Sequence, residues 1–235
     1  MKIKKNIIGS GFLANYFKKY TKLINKLNIC IYAAGVSNSL CENKKYFDRD
    51  FNRIKSFIGL INNRKLVYIS TCTVFDPSRN KSKYIKNKIK IEKYIQEKVS
   101  DYAIIRLPEL VGISKNRNTL TNFLYNNILN SKKFIAYVNS KRNLLDVNDA
   151  IKLSLYFINY TNKKIINIAN LRNYKVMDII SVFKDILKIL PIYESKNIKF
   201  HHYKLKNSIS KNILKKNKIT INKNYLPKII KKYYA

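Results

Sequence analysis

Five short runs rich in β-branched residues, Ile3–Ile8, Asn28–Ala33, Leu66–Ser70, Tyr102–Arg106 and Lys164–Ile168, alternate with stretches of helical spacing. That alternation restricts the chain to an α/β fold in which a parallel sheet carries helices on both faces. Parallel neighbours need a crossover, and the crossover helices cover the sheet. Three stretches show helical spacing along one face: Phe12, Leu13, Tyr16 and Phe17; then Val147, Ala150, Ile151, Ser154, Leu155 and Ile158; then Val176, Ile179, Ile180, Phe183, Leu187 and Leu190. At 235 residues, one domain accommodates the whole chain. The irregular stretch Ile113–Asn118 opens a small appended lobe, and from Ser195 onward the periodicity weakens. No repeat or long linker separates a second domain.

Composition excludes several classes. No apolar run approaches the roughly 20 residues of a membrane span. The run Ile7-Ile8 is cut off by Gly9-Ser10-Gly11 before it could serve as a secretion signal. Cys30, Cys41 and Cys72 are odd in number and lack CxxC spacing, which fits free thiols in a reducing compartment, so a cytoplasmic location is expected. His201 and His202, as strand neighbours, would point to opposite faces, and no metal site is expected. The net charge of +35 would ordinarily suggest a phosphate-rich partner. Here the charge is mostly Lys rather than the bidentate Arg and is spread along the whole chain, as codon drift in an AT-rich genome would leave it. A nucleic-acid partner is therefore disfavoured. The alternative, RNA binding, would use the Lys clusters at Lys204–Lys218 and Lys223–Lys232.

The first run leads into Gly9-Ser10-Gly11-Phe12-Leu13-Ala14 and a helical stretch, the G-x-G-x-x-A form of a dinucleotide-binding turn. Gly9 permits the tight turn, Gly11 lets a pyrophosphate approach the backbone, and Ala14 lets helix and strand pack closely, with anions expected at the helix start near Phe12 and Leu13. The second run ends in Ala33-Ala34-Gly35-Val36-Ser37, small enough for a flat ring to lie against the strand end. The third ends in Ser70-Thr71-Cys72-Thr73-Val74-Phe75, and Tyr84-Ile85-Lys86-Asn87-Lys88 follows, with Tyr84 and Lys88 one helical turn apart. A phenol titrates near pH 10, so a nearby ammonium is needed to favour the phenolate and let Tyr84 exchange a proton.

In this order the motifs resemble the extended short-chain dehydrogenase/reductase family, the NAD-dependent epimerases, dehydratases and reductases of nucleotide sugars. Tyr102–Gly112 is similar to that family's I-x-R-x-x-x-V-x-G segment and Lys141–Ala150 to its R-D-F-x-x-V-x-D box. The same Tyr-x-x-x-Lys spacing recurs at Tyr94–Lys98, Tyr137–Lys141 and Tyr160–Lys164, and order alone selects Tyr84. The resemblance implies a Rossmann-like fold and NAD or NADP held by Gly9, Gly11, Phe12, Leu13, Ala33, Ala34, Gly35, Lys88, Pro108 and Val111. It also implies catalysis by Thr71, Tyr84 and Lys88, and a nucleotide sugar bound by Ser37, Asn122 and Arg142. Asp146 is read either as part of that box or, with Asn148, as a helix cap. On this reading the cofactor-binding core is about 1–112 plus 146–170 and the substrate lobe about 113–145 and 171–235. A homodimer through paired helices is a further implication. The pattern departs from the family in three respects: Ile8 stands where the glycine turn has a further Gly, the Thr71–Tyr84 interval is short, and only Lys18–Leu27 separates the first helix from the second strand, where a full fold places two strands and a helix. The first half is abbreviated, and a non-catalytic binding or scaffold protein is the other reading.

Overall fold

The computed structural model describes residues 6–197 and 205–235. Ile3–Lys5 of the first expected strand and His201-His202 lie outside the described residues. In chain order the chain forms β1 (Ile7–Ile8), α1 (Phe12–Lys18), α2 (Thr21–Lys26), β2 (Ile29–Tyr32), α3 (Lys44–Ile58), β3 (Lys65–Thr71), α4 (Lys83–Lys98), β4 (Tyr102–Leu107) and β5 (Glu109–Val111). There follow α5 (Leu120–Leu129), β6 (Phe134–Tyr137), β7 (Lys141–Arg142), β8 (Leu144–Asp146), α6 (Val147–Tyr160), β9 (Lys164–Asn167), β10 (Tyr174–Lys175), α7 (Val176–Leu187), β11 (Tyr193–Lys196), α8 (Lys211–Lys216) and α9 (Tyr225–Tyr234).

The five β-branched runs become one all-parallel sheet of order β1-β2-β3-β4-β9. Ile7, Ile31, Val67, Ala103 and Lys164 stand in a single row across it. Alternate residues bury opposite faces. Cys30, Tyr32, Leu66, Tyr68 and Ile104 pack with Ile54, Phe57, Ile91 and Ile95 of α3 and α4. Ile31, Val67, Ile69 and Ile105 join a larger apolar cluster that takes in Phe17 of α1 and Ile151 of α6 and continues through Leu124 and Phe134 to Ile229 and Ile230. Each buried Ile or Leu contributes roughly 1.5–3 kcal/mol, which is why the strands read as near-continuous apolar runs.

The second half of the chain is held partly by polar latches. Asp146 caps α6, accepting from the backbone N–H groups of Asn148 and Asp149, which settles the cap reading in its favour over Asn148. Lys232 of α9 pairs with the same carboxylate at 2.7 Å. The Tyr225 hydroxyl accepts from the Asp146 N–H (3.0 Å) and donates to Asp149 (2.8 Å), while Asn148 donates to the Tyr233 hydroxyl (2.8 Å). α9 thus sits across the start of α6. The Tyr- and Lys-rich sequence beyond Ser195 carries this helix in spite of its weak periodicity.

Candidate active site

The C-terminal ends of β1 to β4 share one sheet edge, and the motif residues leave from it. At the end of β1, Gly9 adopts φ +132°, and a Cβ there would lie 2.5 Å from the Ala33 carbonyl oxygen and 3.1 Å from Ala14 Cβ. Turn, helix and second strand therefore pack as closely as the small residues predict. Gly11 caps α1 in an extended conformation and has open space where its side chain would be. Phe12 lays its ring against Gly112, 2.9 Å from where a Cβ would stand, tying the glycine turn to the end of β5. Leu13 and Ala33 pack against the main cluster, Val111 is fully buried within it, and Pro108 joins β4 to β5 half-buried.

α4 turns Tyr84, Lys88 and Glu92, spaced four apart, toward the ends of β3 and β4. Tyr84 is 7% exposed and Lys88 4%. The Thr71 side chain hydrogen-bonds the Tyr84 phenol, and Thr71 Oγ1 lies 2.9 Å from Thr73 Oγ1. Burial pushes the phenol up to about 12, and the Thr71 hydrogen bond works against that rise. The Lys88 ammonium lies 5.3 Å from the Tyr68 ring centroid and 5.7 Å from that of Tyr84. A Cβ on Gly35 would meet it at 2.9 Å, so Gly35 is small because the lysine occupies its side-chain space. Burial holds Lys88 below the ordinary lysine range, and the charges of Asp50 and Glu92 oppose this.

Two acidic residues that sequence reasoning passed over complete the cluster. Asp50 of α3 is buried, accepting from the Tyr32 hydroxyl (3.2 Å), the Val36 N–H (3.2 Å) and Asn87 (3.3 Å). Glu92 is 2% exposed and forms a two-point pair with Arg106, Nε to Oε1 at 3.0 Å and Nη2 to Oε2 at 2.5 Å, while Ser70 donates to Oε1 at 2.5 Å. Glu92 was legible, since it lies one more helical turn beyond Tyr84 and Lys88 on the same face. Asp50 carried no such signal, because α3 contributes nothing else to the motif. The buried Tyr68 hydroxyl faces this cluster and has no hydrogen-bond partner among the described residues.

The other Tyr-x-x-x-Lys matches stand elsewhere. Tyr160 is 70% exposed, Tyr94 packs edge-on against Phe51 on the outer side of α4, and Tyr137 belongs to β6. Cys72 is buried beside the Arg106 carbonyl at 3.3 Å, and burial raises its thiol to about 12, which makes it an inert filler. Ser37 is exposed in the loop after Val36. Among the described residues no group of three or more His, Cys, Asp or Glu could hold a metal ion, and no helix is long and apolar enough to cross a membrane.

In the appended lobe, Arg142 lines a cavity of about 510 Å³ with Leu120, Phe123, Phe134, Tyr137 and Val176. Its Nε lies 3.4 Å from Glu109, one residue past Pro108, so the arginine links the lobe to the sheet edge. Asn122 is engaged otherwise. Its amide donates to the carbonyls of Ser114 (3.1 Å) and Asn116 (2.8 Å), and its oxygen lies 2.6 Å from the Tyr234 hydroxyl. Each polar atom of that side chain fastens the lobe internally. On α4, the Tyr84 helix whose pairing the resemblance implies, Lys83, Lys86, Lys90 and Lys93 are exposed, like charges that a two-fold contact through this helix would bring near their copies.

No protein-family model matches the sequence, nor does any curated protein. The three-dimensional arrangement does have matches, and these define the class: a Rossmann-like α/β fold of the kind found in the NAD-dependent epimerases and dehydratases. RMD from Pseudomonas aeruginosa, solved with NADPH, superposes with a TM-score of 0.75 at 12% identity over 96% of this chain and 95% of that one. UDP-glucuronic acid 4-epimerase from Bacillus cereus, solved with UDP-glucuronic acid and NAD, gives 0.71 at 14% over 98% and 88%. dTDP-glucose 4,6-dehydratase from Bacillus anthracis, in complex with NAD, gives 0.66 at 14% over 94% and 76%. At these identities the likeness shows the fold.

Proposed function

We propose that the chain is an NAD(P)-dependent reductase or epimerase of a nucleotide-activated sugar, serving surface polysaccharide biosynthesis. The observation that carries this reading is the burial of Tyr84 and Lys88 together at the sheet's C-terminal edge, with Thr71 hydrogen-bonded to the phenol. Gly9 packed on Ala33, the open space at Gly11 and the small residues Ala33–Gly35 fit the nicotinamide-side half of the cofactor. When bound, the nicotinamide supplies or takes up the hydride at a sugar carbon.

The remaining steps belong to this chain. With its pKa raised by burial, Tyr84 rests as a neutral phenol, the form that donates a proton to a carbonyl oxygen. Thr71 holds the phenolic oxygen and, as the phenol ionises, donates to it. Lys88 stabilises the resulting phenolate, since its ammonium stands close to the Tyr84 ring in a water-poor site. Arg142 is the ligand for the diphosphate of the substrate, exchanging Glu109 for it, and the apolar walls of its cavity take the nucleoside. The cofactor half of the work then falls to residues 1–112 and 146–170 and the substrate half to the lobe.

The reading is tested by following NADH and NADPH oxidation with a panel of UDP- and dTDP-linked keto sugars. Tyr84→Phe should lower turnover by about 10²–10⁴-fold and leave the cofactor dissociation constant unchanged. Equal turnover by the variant removes Tyr84 from the reaction, and cofactor binding without turnover in either protein favours the scaffold reading.

A further inference from the structure

Beyond the glycine turn, which would face the pyrophosphate, the residues proposed to serve the cofactor stand on the nicotinamide side of where a dinucleotide would lie, and the sheet order accounts for this. In a complete doubly wound sheet the first strand is central. A second set of strands lies on its far side, the dinucleotide straddles the crevice where strand order reverses, and a residue about 20 positions past the glycine turn reads the adenine ribose.

Here the order β1-β2-β3-β4-β9 never reverses, and among the described strands β1 pairs only with β2, Ile7 to Ile31 and Ile8 to Tyr32. The chain that would build the missing strands is instead α1, a tight turn and α2, and the α2 cap at Leu27 leads almost directly into Ile29. This connection is packed and fastened. Ile24 is fully buried, and Asn6 donates to the Asn25 side chain at 2.7 Å. Counting about 20 residues from Gly9–Gly11 reaches Ile29, Cys30 and Ile31, all between 0% and 2% exposed in the middle of the sheet. Buried apolar side chains of this kind can neither accept hydrogen bonds from a ribose nor pair with a 2′-phosphate. By contrast Thr71, Tyr84 and Lys88 are supplied by β3 and α4, on the nicotinamide side.

We infer that this chain recognises its cofactor through the nicotinamide-ribosyl-phosphate end alone, with the adenosine left outside the fold. NADH, NADPH and reduced nicotinamide mononucleotide are then nearly equivalent ligands. The inference rests on the nicotinamide reading of the Tyr84–Lys88 site.

The test is calorimetric titration of the full chain with NADH, NADPH, reduced nicotinamide mononucleotide and adenosine. It is run at about 0.15 M and about 0.5 M salt, so that nonspecific attraction of the 2′-phosphate to the Lys-rich surface is screened out. At the higher salt the three nicotinamide compounds should bind within about threefold of one another, and adenosine in excess should displace none of them. Lys88→Gln should weaken all three by the same factor, which places the binding at this site. NADH binding more than about tenfold tighter than the mononucleotide, a comparable preference between NADH and NADPH at high salt, or displacement by adenosine overturns the inference while leaving the cofactor reading intact. Failure of every nicotinamide compound to bind overturns both.

Discussion

Lys88 and Asp50 converge on one point above Gly35, 2.9 Å from Nζ and 3.2 Å from Oδ2 if that point is taken as the Cβ the glycine lacks. The carboxylate comes from α3 and the ammonium from α4, so the pair also joins the two helices that cover this face of the sheet. Tyr68 from β3, Tyr84 and Glu92 from α4 and Tyr32 from β2 stand beside the pair, and the charges of Arg49 and Arg53 of α3 reach Tyr32.

Asp50→Asn keeps an oxygen for the Val36 N–H and removes the charge. Lys88, already held low by burial, should then give up its proton at a lower pH still, read from the lysine side-chain carbon resonances across a titration. The pH at which proposed turnover depends on Lys88 should move with it. A Lys88 midpoint equal to that of the wild type would show that Asp50 serves packing only.

Tyr84 and Lys88 give opposite slopes to the pH dependence of stability. Between pH 10 and about 12 the unfolded chain has lost the Tyr84 proton and the folded chain keeps it, so stability falls as pH rises, by at most about 1.4 kcal/mol per unit. For Lys88, whose folded value lies below its ordinary 10.5, the unfolded chain holds the proton longer, and stability rises with pH up to about 10.5. Urea unfolding at pH 9 to 12 should show the falling limb reduced in Tyr84→Phe. An unchanged limb would mean that the phenol is not buried.

The Glu92–Arg106 pair is enclosed on the glutamate side, with 3% of its side chain exposed against 16% for the arginine. Glu92→Gln leaves the guanidinium without its counter-charge and should cost about 3–5 kcal/mol in denaturant unfolding. The double replacement Glu92→Leu with Arg106→Met should recover most of that loss, since a buried pair adds little over a well-packed apolar one. A loss under 1 kcal/mol for Glu92→Gln contradicts the enclosed geometry.

Asn122 distinguishes packing from recognition. Asn122→Ala strips partners from the Ser114 and Asn116 carbonyls and from Tyr234, and should cost about 1–3 kcal/mol of stability with KM for a nucleotide sugar unchanged. A raised KM at unaltered stability would restore the substrate role that the sequence pattern assigns to it.

The sheet was readable because its strands are buried on both faces, so Ile29–Tyr32 and Tyr102–Leu107 stand out as apolar runs without needing alternation. Gly9 was readable too, being small for the steric reason that the motif encodes, whereas Gly35, expected to make room for a flat ring, makes room for Lys88. What stayed hidden depends on long-range partners. Asp50 looks like any helix-surface acid until Asn87 and Lys88 are brought beside it, and Asn122 looks like a ligand until Tyr234 arrives from α9. The small strands β6 and β11 pair across a long separation, Phe134 with Tyr193, and are too short for periodicity to reveal.

The latch formed by α9 also bears on the order in which the molecule can be assembled. Tyr234 meets Asn122 across 112 residues and Lys232 meets Asp146 across 86, so α5 and α6 leave the ribosome long before the helix that fastens them is made. Until then the Asp146 carboxylate lacks Lys232 and the Asn122 oxygen lacks Tyr234, so these contacts of high sequence separation can close only after both distant segments exist.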